Sequence, residues 1–351
     1  MATYIVSAGQ TSSGTVLHNG DIQKVYGTAV DTRVHRGGRE EVFAGGTAVG
    51  TRAEGAAESS GEGEVLVAAG GIASGTVADD GGHVRVEGGE TVGTVLHRGG
   101  LEEVLAGGVA NGTVVGTATS VGGDQVVRAG GIANRAVVGP GGRQHVQDGG
   151  RVLGTVVNDG GLEVVRAGGT AVNTVVRDVG TVIDDGTLAF IPGGAIREAG
   201  AISGRGALVL TGSGTTVALT SANLYAGGTE LANGTLDLAA PGAAGTGPIT
   251  FLGGSKATPT LQIEPGSTPT NTITGFLPGA TIDLAGIGLA TAAMLGANNL
   301  LTVSGGSSGP VALHLDPGQS YAGYAFRLGT DGHGGTDLTV VPASPSTATG
   351  A

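Results

Sequence analysis

Valine recurs at fixed intervals between paired glycines through the first half of the chain, in runs too short for helices. Three stretches show the beat: GGLEEVLAGGVANGTVV, GGRQHVQDGGRVLGTVV and GGLEVVRAGGTAVNTVV. From the first glycine pair of each unit, at Gly37, Gly81, Gly99, Gly122, Gly141 and Gly160, the fourth residue beyond the second glycine is Val42, Val86, Val104, Val127, Val146 and Val165. From the second pair, the sixth residue on is Val77, Val95, Val114, Val137, Val156 and Val175, with Arg52 the exception. Later second pairs start at Gly88, Gly107, Gly130, Gly149 and Gly168, in steps of 19, 23, 19 and 19 residues.

A unit of that length cannot bury a core of its own and must stack on its neighbours, as the coils of a solenoid do. Apolar positions alternating with polar ones between glycines predict short strands separated by tight turns. Equivalent residues of stacked coils lie about 4.8 Å apart, so both valine series are predicted to form inward columns whose burial drives folding. Paired glycines supply the corners, where positive φ or close backbone approach excludes a Cβ. Gly75, Gly93, Gly112 and Gly154, with Asn173 in the same phase, mark a further corner from which Arg135 departs, since Asn also tolerates the left-handed region. Two residues before the first valine series, on the same face of the strand, stand Glu40, Glu102, Gln125, Gln144 and Glu163, with Val84 breaking the series.

These patterns predict an all-β chain, a parallel β-helix (β-solenoid) with a C-terminal β-rich cap. Residues 1–188 form the regular solenoid of roughly ten coils, with a bulged loop where EGAAESSGEGE disturbs the spacing. Residues 189–248 continue it in another register, 249–342 form the cap over the open sheet edge, and 343–351 (ASPSTATGA) form a disordered tail.

Composition narrows the class. Of 351 residues 73 are glycine, but not at every third position, which excludes collagen. An apolar fraction of 39% with 13% charged residues argues against disorder. The net charge of −12, with Lys24 and Lys256 the only lysines, leaves no basic stripe for nucleic acid. Zero cysteine removes disulfides and thiolate metal sites, and suits a chain threaded unfolded through a membrane. No stretch of about 18 apolar residues is present to span a membrane as a helix. The opening MATYIVSAGQTSSG carries neither a basic n-region nor an apolar h-region, so export needs a signal trimmed from this chain or another route.

The stretches GGDQVVRAGG and GGRVLGTVVNDGG, with their double glycine, Gln/Glu-x-Val and Gly-Thr-Val, resemble the passenger repeats of AIDA-type autotransporter adhesins over about residues 3–188. LYAGGTELANGTLDL (224–238) is similar to the passenger-associated repeat, matching it at Tyr225, Gly227, Gly228, Thr229, Gly234, Thr235 and Leu236. The resemblance implies a secreted or outer-surface protein and a right-handed β-helix. The chain lacks the C-terminal membrane barrel of that family, ending in a polar tail. The ITGFLPGATIDLAGIG and GTDGHGGTDLTVVP segments also resemble bacterial repeat proteins that precede a Hedgehog/intein-type domain. The nucleophilic cysteine of such a domain is missing after Val340-Val341-Pro342, so self-cleavage is not available.

Candidate chemistry is sparse. His18, His35 and His97 sit before glycine turns and read as solvated turn residues; His83 and His145 lie on strands without a regular partner. Glu40, Glu102 and Glu163 could make an acidic strip of the kind a pectin lyase or glycosidase uses. One residue type repeated at one phase reads instead as a solvated or hydrogen-bonded ladder. GTDGHGGTDL partly resembles the calcium nonapeptide of RTX rolls, making Asp331 and Asp337 the only metal candidates. A single copy reads more simply as a glycine-rich hairpin. No cofactor is implied. The functional expectation is a non-catalytic adhesion, self-association or matrix-attachment protein, whose partners are surface glycans or its own copies. A β-helix carbohydrate-active enzyme and a spacer or secretion module of a larger processed protein are the alternatives.

Overall fold

The computed structural model describes residues 1–55, 61–118, 122–177, 179–191, 194–253 and 257–343. The expected tail lies almost wholly outside the described residues, as does the middle of the expected bulged loop. The chain divides into two units: Met1–Leu188 with Ala199–Ala201, and Ala189–Glu198 with Ile202–Ala351.

In the first unit each coil from Thr3 to Val176 carries three short strands, one on each of three parallel sheets. The coil starting at Leu101 is representative. A four-residue strand (Leu101–Val104) is followed by a three-residue strand (Val109–Asn111) and a two-residue strand (Val114–Val115). The next coil stacks on it in parallel register, Val104 on Val127, Asn111 on Asn134 and Val115 on Val138. All three pairs keep a step of 23 residues, so the additional residues are confined to the corner loop between Val115 and Asp124.

Gly107 and Gly108 show why the glycines come in pairs. Gly107 turns the chain with φ +75°, while a Cβ on Gly108 would fall against the Val86 carbonyl of the coil before it, well inside van der Waals contact. The second corner is also left-handed: Gly93, Gly112 and Gly154 have φ of 66°, 67° and 66°. Asn173 adopts 53° and Arg135 54°. Arg135 departs from the pattern in residue type only, since the backbone makes the same corner there.

Val42, Val86, Val104, Val127, Val146 and Val165 are all fully buried. The second valine series needs a correction by one position. Val77, Val95, Val114, Val137, Val156 and Val175 are half-buried on the outer side, and the inward column is Ala78, Leu96, Val115, Val138, Val157 and Val176. Alternation sets this: Thr113 at the corner points inward, so Val114 points out and Val115 in. The Val-Val doublet hides that phase in the sequence.

In the second unit the parallel stacking runs further than expected. Ala195–Glu198, Thr216–Leu219, Thr235–Leu238, Thr260–Ile263 and Thr281–Leu284 stack in parallel register. The antiparallel cap therefore begins beyond Leu284, not at residue 249. Thr336–Pro342 runs antiparallel along Thr281–Leu284, occupying its edge, and pairs with Tyr324–Thr330. Ala292–Leu295, Leu300–Ser304 and Val311–His314 make a separate antiparallel sheet. Coil steps of 21, 20 and 24 residues (Leu208 to Thr229, Ile249 and Ile273) hide the period here.

Candidate functional site

Three places in the chain carry polar groups in a repeated or converging arrangement: the interior of the first unit, its outer faces, and the turn before the last strand.

Gln23, Glu40, Glu102, Gln125, Gln144 and Glu163 are fully buried. They occupy one interior column, interrupted by Val65 and Val84. The acidic series is thus neither a solvated strip nor a cleft. It is a hydrogen-bonded ladder inside the coil, because its residues share a strand face with the buried valines two positions on. A second buried column of threonines faces it. Thr32 donates to Gln23 (3.1 Å), Thr51 to Glu40 (2.7 Å), Thr155 to Gln144 (2.9 Å) and Thr174 to Glu163 (3.4 Å). Glu102 accepts from Thr91 (2.8 Å), Thr113 (2.7 Å) and Gln125 Nε2 (2.8 Å), while Gln144 Nε2 donates to Gln125 (2.6 Å).

The Thr76 and Thr94 hydroxyls are buried with no hydrogen-bond partner among the described residues. They belong to the two coils where Val65 and Val84 replace Glu or Gln. Glu40 Oε1 and Glu163 Oε2 also lack partners. A carboxylate buried without a cation favours its neutral form. Burial pushes Glu40 up to about 7, against the pull of Thr51 and Thr32. It pushes Glu163 up to about 8, opposed by Thr174 and reinforced by the charge of Asp184. None of these carboxyls is open to a polymeric substrate.

The outer faces differ in kind. The face built from four- and five-residue strands is laced with ion pairs: Arg39 with Glu41 (3.2 Å) and Glu64 (3.3 Å), and His145 with Asp124 (3.6 Å). His83 sits between Glu62 (3.3 Å) and Glu103 (3.5 Å). His83 and His145 therefore do have partners, contrary to expectation, because carboxylates of adjacent coils stack beside them. His18 and His35 stack on each other with centroids 5.3 Å apart.

The face built from three-residue strands is apolar and amide-bearing. Ile72 and Val92 are exposed, and Val109, Ile132 and Leu153 half-buried. A groove of about 750 Å³ runs along its glycine corner, lined by Val92, Asn111, Asn134, Arg135, Leu153 and Asn173 among others. A second hollow of about 340 Å³ and a third of about 290 Å³ lie on the same face. Sequence reasoning passed over these residues. The signal was the outward position at each end of Val109-Ala110-Asn111 and its equivalents.

Tyr225, Thr229 and Leu236 of the passenger-associated motif are buried, and the Tyr225 hydroxyl lies 2.7 Å from Thr229 Oγ1. Gly228 and Gly234 take φ of 90° and 77°. Cβ atoms on Gly227 and Gly234 would meet the carbonyls of Gly206 and Gly212. The motif is a structural plug and turn, the tyrosine filling one coil while its hydroxyl is satisfied. Burial raises its pKa.

Asp331 caps its own turn, accepting from the backbone N–H of His333 (2.7 Å) and Gly335 (2.8 Å), which hold its carboxyl below the usual range. Asp337 faces Asp283 across the antiparallel pair. Burial, with the charges of Asp337 and Asp331, pushes Asp283 up to about 6. Among the described residues no group of three or more His, Asp or Glu is arranged to hold a metal ion. Asp331 thus sits in a single self-capped hairpin turn.

Among solved structures, the chain is similar to a crystallised fragment of TibA, in the hyper-glycosylated form whose modification TibC catalyses. The two share 27% identity with a TM-score of 0.53, over 79% of this chain and 88% of that one. The chain resembles AIDA-type passenger repeats in structure as well as in sequence. No family model matches the chain, and no curated protein matches it. Among the described residues no helix is long and apolar enough to cross a membrane.

Proposed function

We propose that this chain is a non-catalytic adhesin-like repeat protein acting at the cell surface or outside the cell. Its solenoid holds partners by many weak contacts, with its own copies or surface glycans as those partners. The observation that carries this reading is the contrast between inside and outside. The repeated carboxylates are buried in a hydrogen-bonded column, while the outer surface offers a repeated face of apolar and amide side chains. Repetition at about 4.8 Å multiplies a weak contact, which is how multivalent binding gains strength. The likeness to the glycosylated TibA fragment supports a surface or secreted setting.

The test displays the chain on beads and scores clumping and binding to a panel of surface glycans. Clumping or glycan capture is expected, with no release of reducing ends from polysaccharides. Polysaccharide cleavage without clumping or capture overturns the reading in favour of the carbohydrate-active enzyme.

A further inference from the structure

Charge is distributed unevenly along the first unit. The whole chain carries −12, yet residues 122–177 hold six arginines against four carboxylates, one of which, Glu163, is fully buried. In earlier coils Arg39, Arg52, Arg85 and Arg98 each face a carboxylate, and Arg128 reaches back to Glu103. Arg135, Arg143, Arg151, Arg166 and Arg177 are exposed, and none makes an ion pair among the described residues.

Two of these arginines flank the groove on the face of three-residue strands. Arg151 opens its strand in the column of Val109 and Ile132, and Arg135 stands at the corner in the column of Gly112 and Gly154. Arg135 lines the groove of about 750 Å³ and Arg151 the hollow of about 290 Å³, and Asn134 and Leu153 line both. The two cations thus stand on neighbouring coils at opposite ends of the strand, about 10 Å apart across the face. Between them lie aliphatic Ile132 and Leu153 and a row of amides. Asn111 Nδ2 donates to Glu90 Oε1 (2.7 Å) and Asn134 Nδ2 to Asn111 Oδ1 (2.9 Å), which fixes that row. Each amide keeps hydrogen-bonding capacity for a ligand.

A linear polymer of six-membered sugars advances per residue by a length close to the rise of one coil, about 4.8 Å. Its C–H faces match an aliphatic floor, and its hydroxyls match amides. In a polymer with two-fold screw symmetry, substituents on successive residues point to alternate sides. Carboxylates on those substituents meet Arg151 on one side and Arg135, a coil away, on the other. A guanidinium receives a carboxylate through two parallel hydrogen bonds. Glu90, three coils before Arg151, repels a polyanion and closes the row at that end. A neutral glycan leaves both guanidiniums unpaired, and a polyphosphate has no ring face for Ile132 and Leu153.

We infer that this groove binds a linear uronic-acid polysaccharide, laid along the solenoid axis with its carboxylates paired to Arg135 and Arg151. The inference rests on the adhesin reading and names the class of glycan. Two guanidiniums and a shallow floor make a weak single contact, which one polymer strengthens by engaging several copies of the chain.

The test immobilises the full chain and measures capture of mannuronate-rich alginate, its propylene-glycol ester, sulfated dextran and a neutral glucan. Alginate is expected to bind, more weakly as salt rises. The ester keeps the backbone but masks the charge, and is expected to bind roughly tenfold more weakly. Arg135→Gly and Arg151→Thr copy Gly154 and Thr170, which the next coil holds at those positions, so the coil accommodates them. Each is expected to weaken alginate capture roughly tenfold. Arg143→Thr removes an equally exposed arginine from another sheet, copying Thr181 two coils on, and is expected to change capture by no more than about twofold. Melting temperatures matched to the parent keep loss of fold apart from loss of binding, and the ester arm needs no variant. An equal loss in Arg143→Thr, or sulfated dextran held more tightly than alginate, assigns capture to charge alone and overturns the groove. Failure to capture alginate also overturns it, leaving adhesion standing if the neutral glucan is captured or the beads clump. Neither capture nor clumping overturns both.

Discussion

The two units solve the same stacking problem with different interiors. The first is filled mainly by Ala, Val and Thr, with a column of Gln and Glu broken only at Val65 and Val84. The second is filled by Leu, Ile, Phe and Tyr, including a run of rings in which Phe251 and Phe276 lie 5.5 Å apart and Tyr321 and Phe326 5.2 Å. Keeping extra residues in corner loops lets like side chains meet in register, so directional hydrogen bonds can be made inside the first unit. The second unit also stacks its strands in register, but its inward positions are mostly apolar, and apolar bulk has no preferred direction.

The sharpest way to break the comparison is to empty one position in each interior. Phe276→Ala is expected to cost about 3–5 kcal/mol, against about 2 kcal/mol for Val127→Ala. Denaturant unfolding followed by circular dichroism measures both, and equal costs would remove the distinction between ring packing and valine stacking.

The polar column makes the next prediction, and its sign follows from protonation. Glu40 and Glu163 hold their protons more tightly folded than unfolded, where the ordinary value is 4.5. Their contribution is whole below pH of about 4.5 and is lost as pH rises through about 7 for Glu40 and about 8 for Glu163. The loss is worth about 3 kcal/mol for Glu40 and about 5 kcal/mol for Glu163. Glu40→Gln and Glu163→Gln keep an amide that can bond the same threonines and remove the charge. The double variant is expected to lose much less melting temperature from pH 5 to 9 than the parent does. Asp184, raised by burial to about 7, supplies the residual slope. An unchanged decline in the double variant would show that the buried glutamates do not set it.

A smaller effect separates two threonines that look alike in sequence. Thr113→Val removes a donor from Glu102 and is expected to destabilise by about 1–3 kcal/mol. Thr94→Val removes a hydroxyl that is buried without a partner and is expected to stabilise by about 1 kcal/mol. Effects of the same sign at both sites would mean that the threonine column acts by shape and not by hydrogen bonding.

The coil, its corners and the buried valine column from Val42 to Val165 were legible because one period of glycine and valine fixes them. The phase of the second valine column was not, because a Val-Val doublet offers either residue to the core. Nor was the depth of Glu40, Glu102 and Glu163, whose residue type pointed outward while their position pointed in. The length of parallel stacking in the second unit escaped notice for want of a regular step.

By itself, the sequence determined that the chain coils, where it turns and which strand face is apolar, since these follow from local φ preferences and a period of two. Only the tertiary structure decided which polar residues meet. Stacking brings Gln125 beneath Glu102, Arg151 three coils from Glu90, and Asn134 beside Asn111, pairs separated by 19 or more residues in the chain. Whether a carboxyl is solvated or enclosed depends on those neighbours and not on the residue's own chemistry.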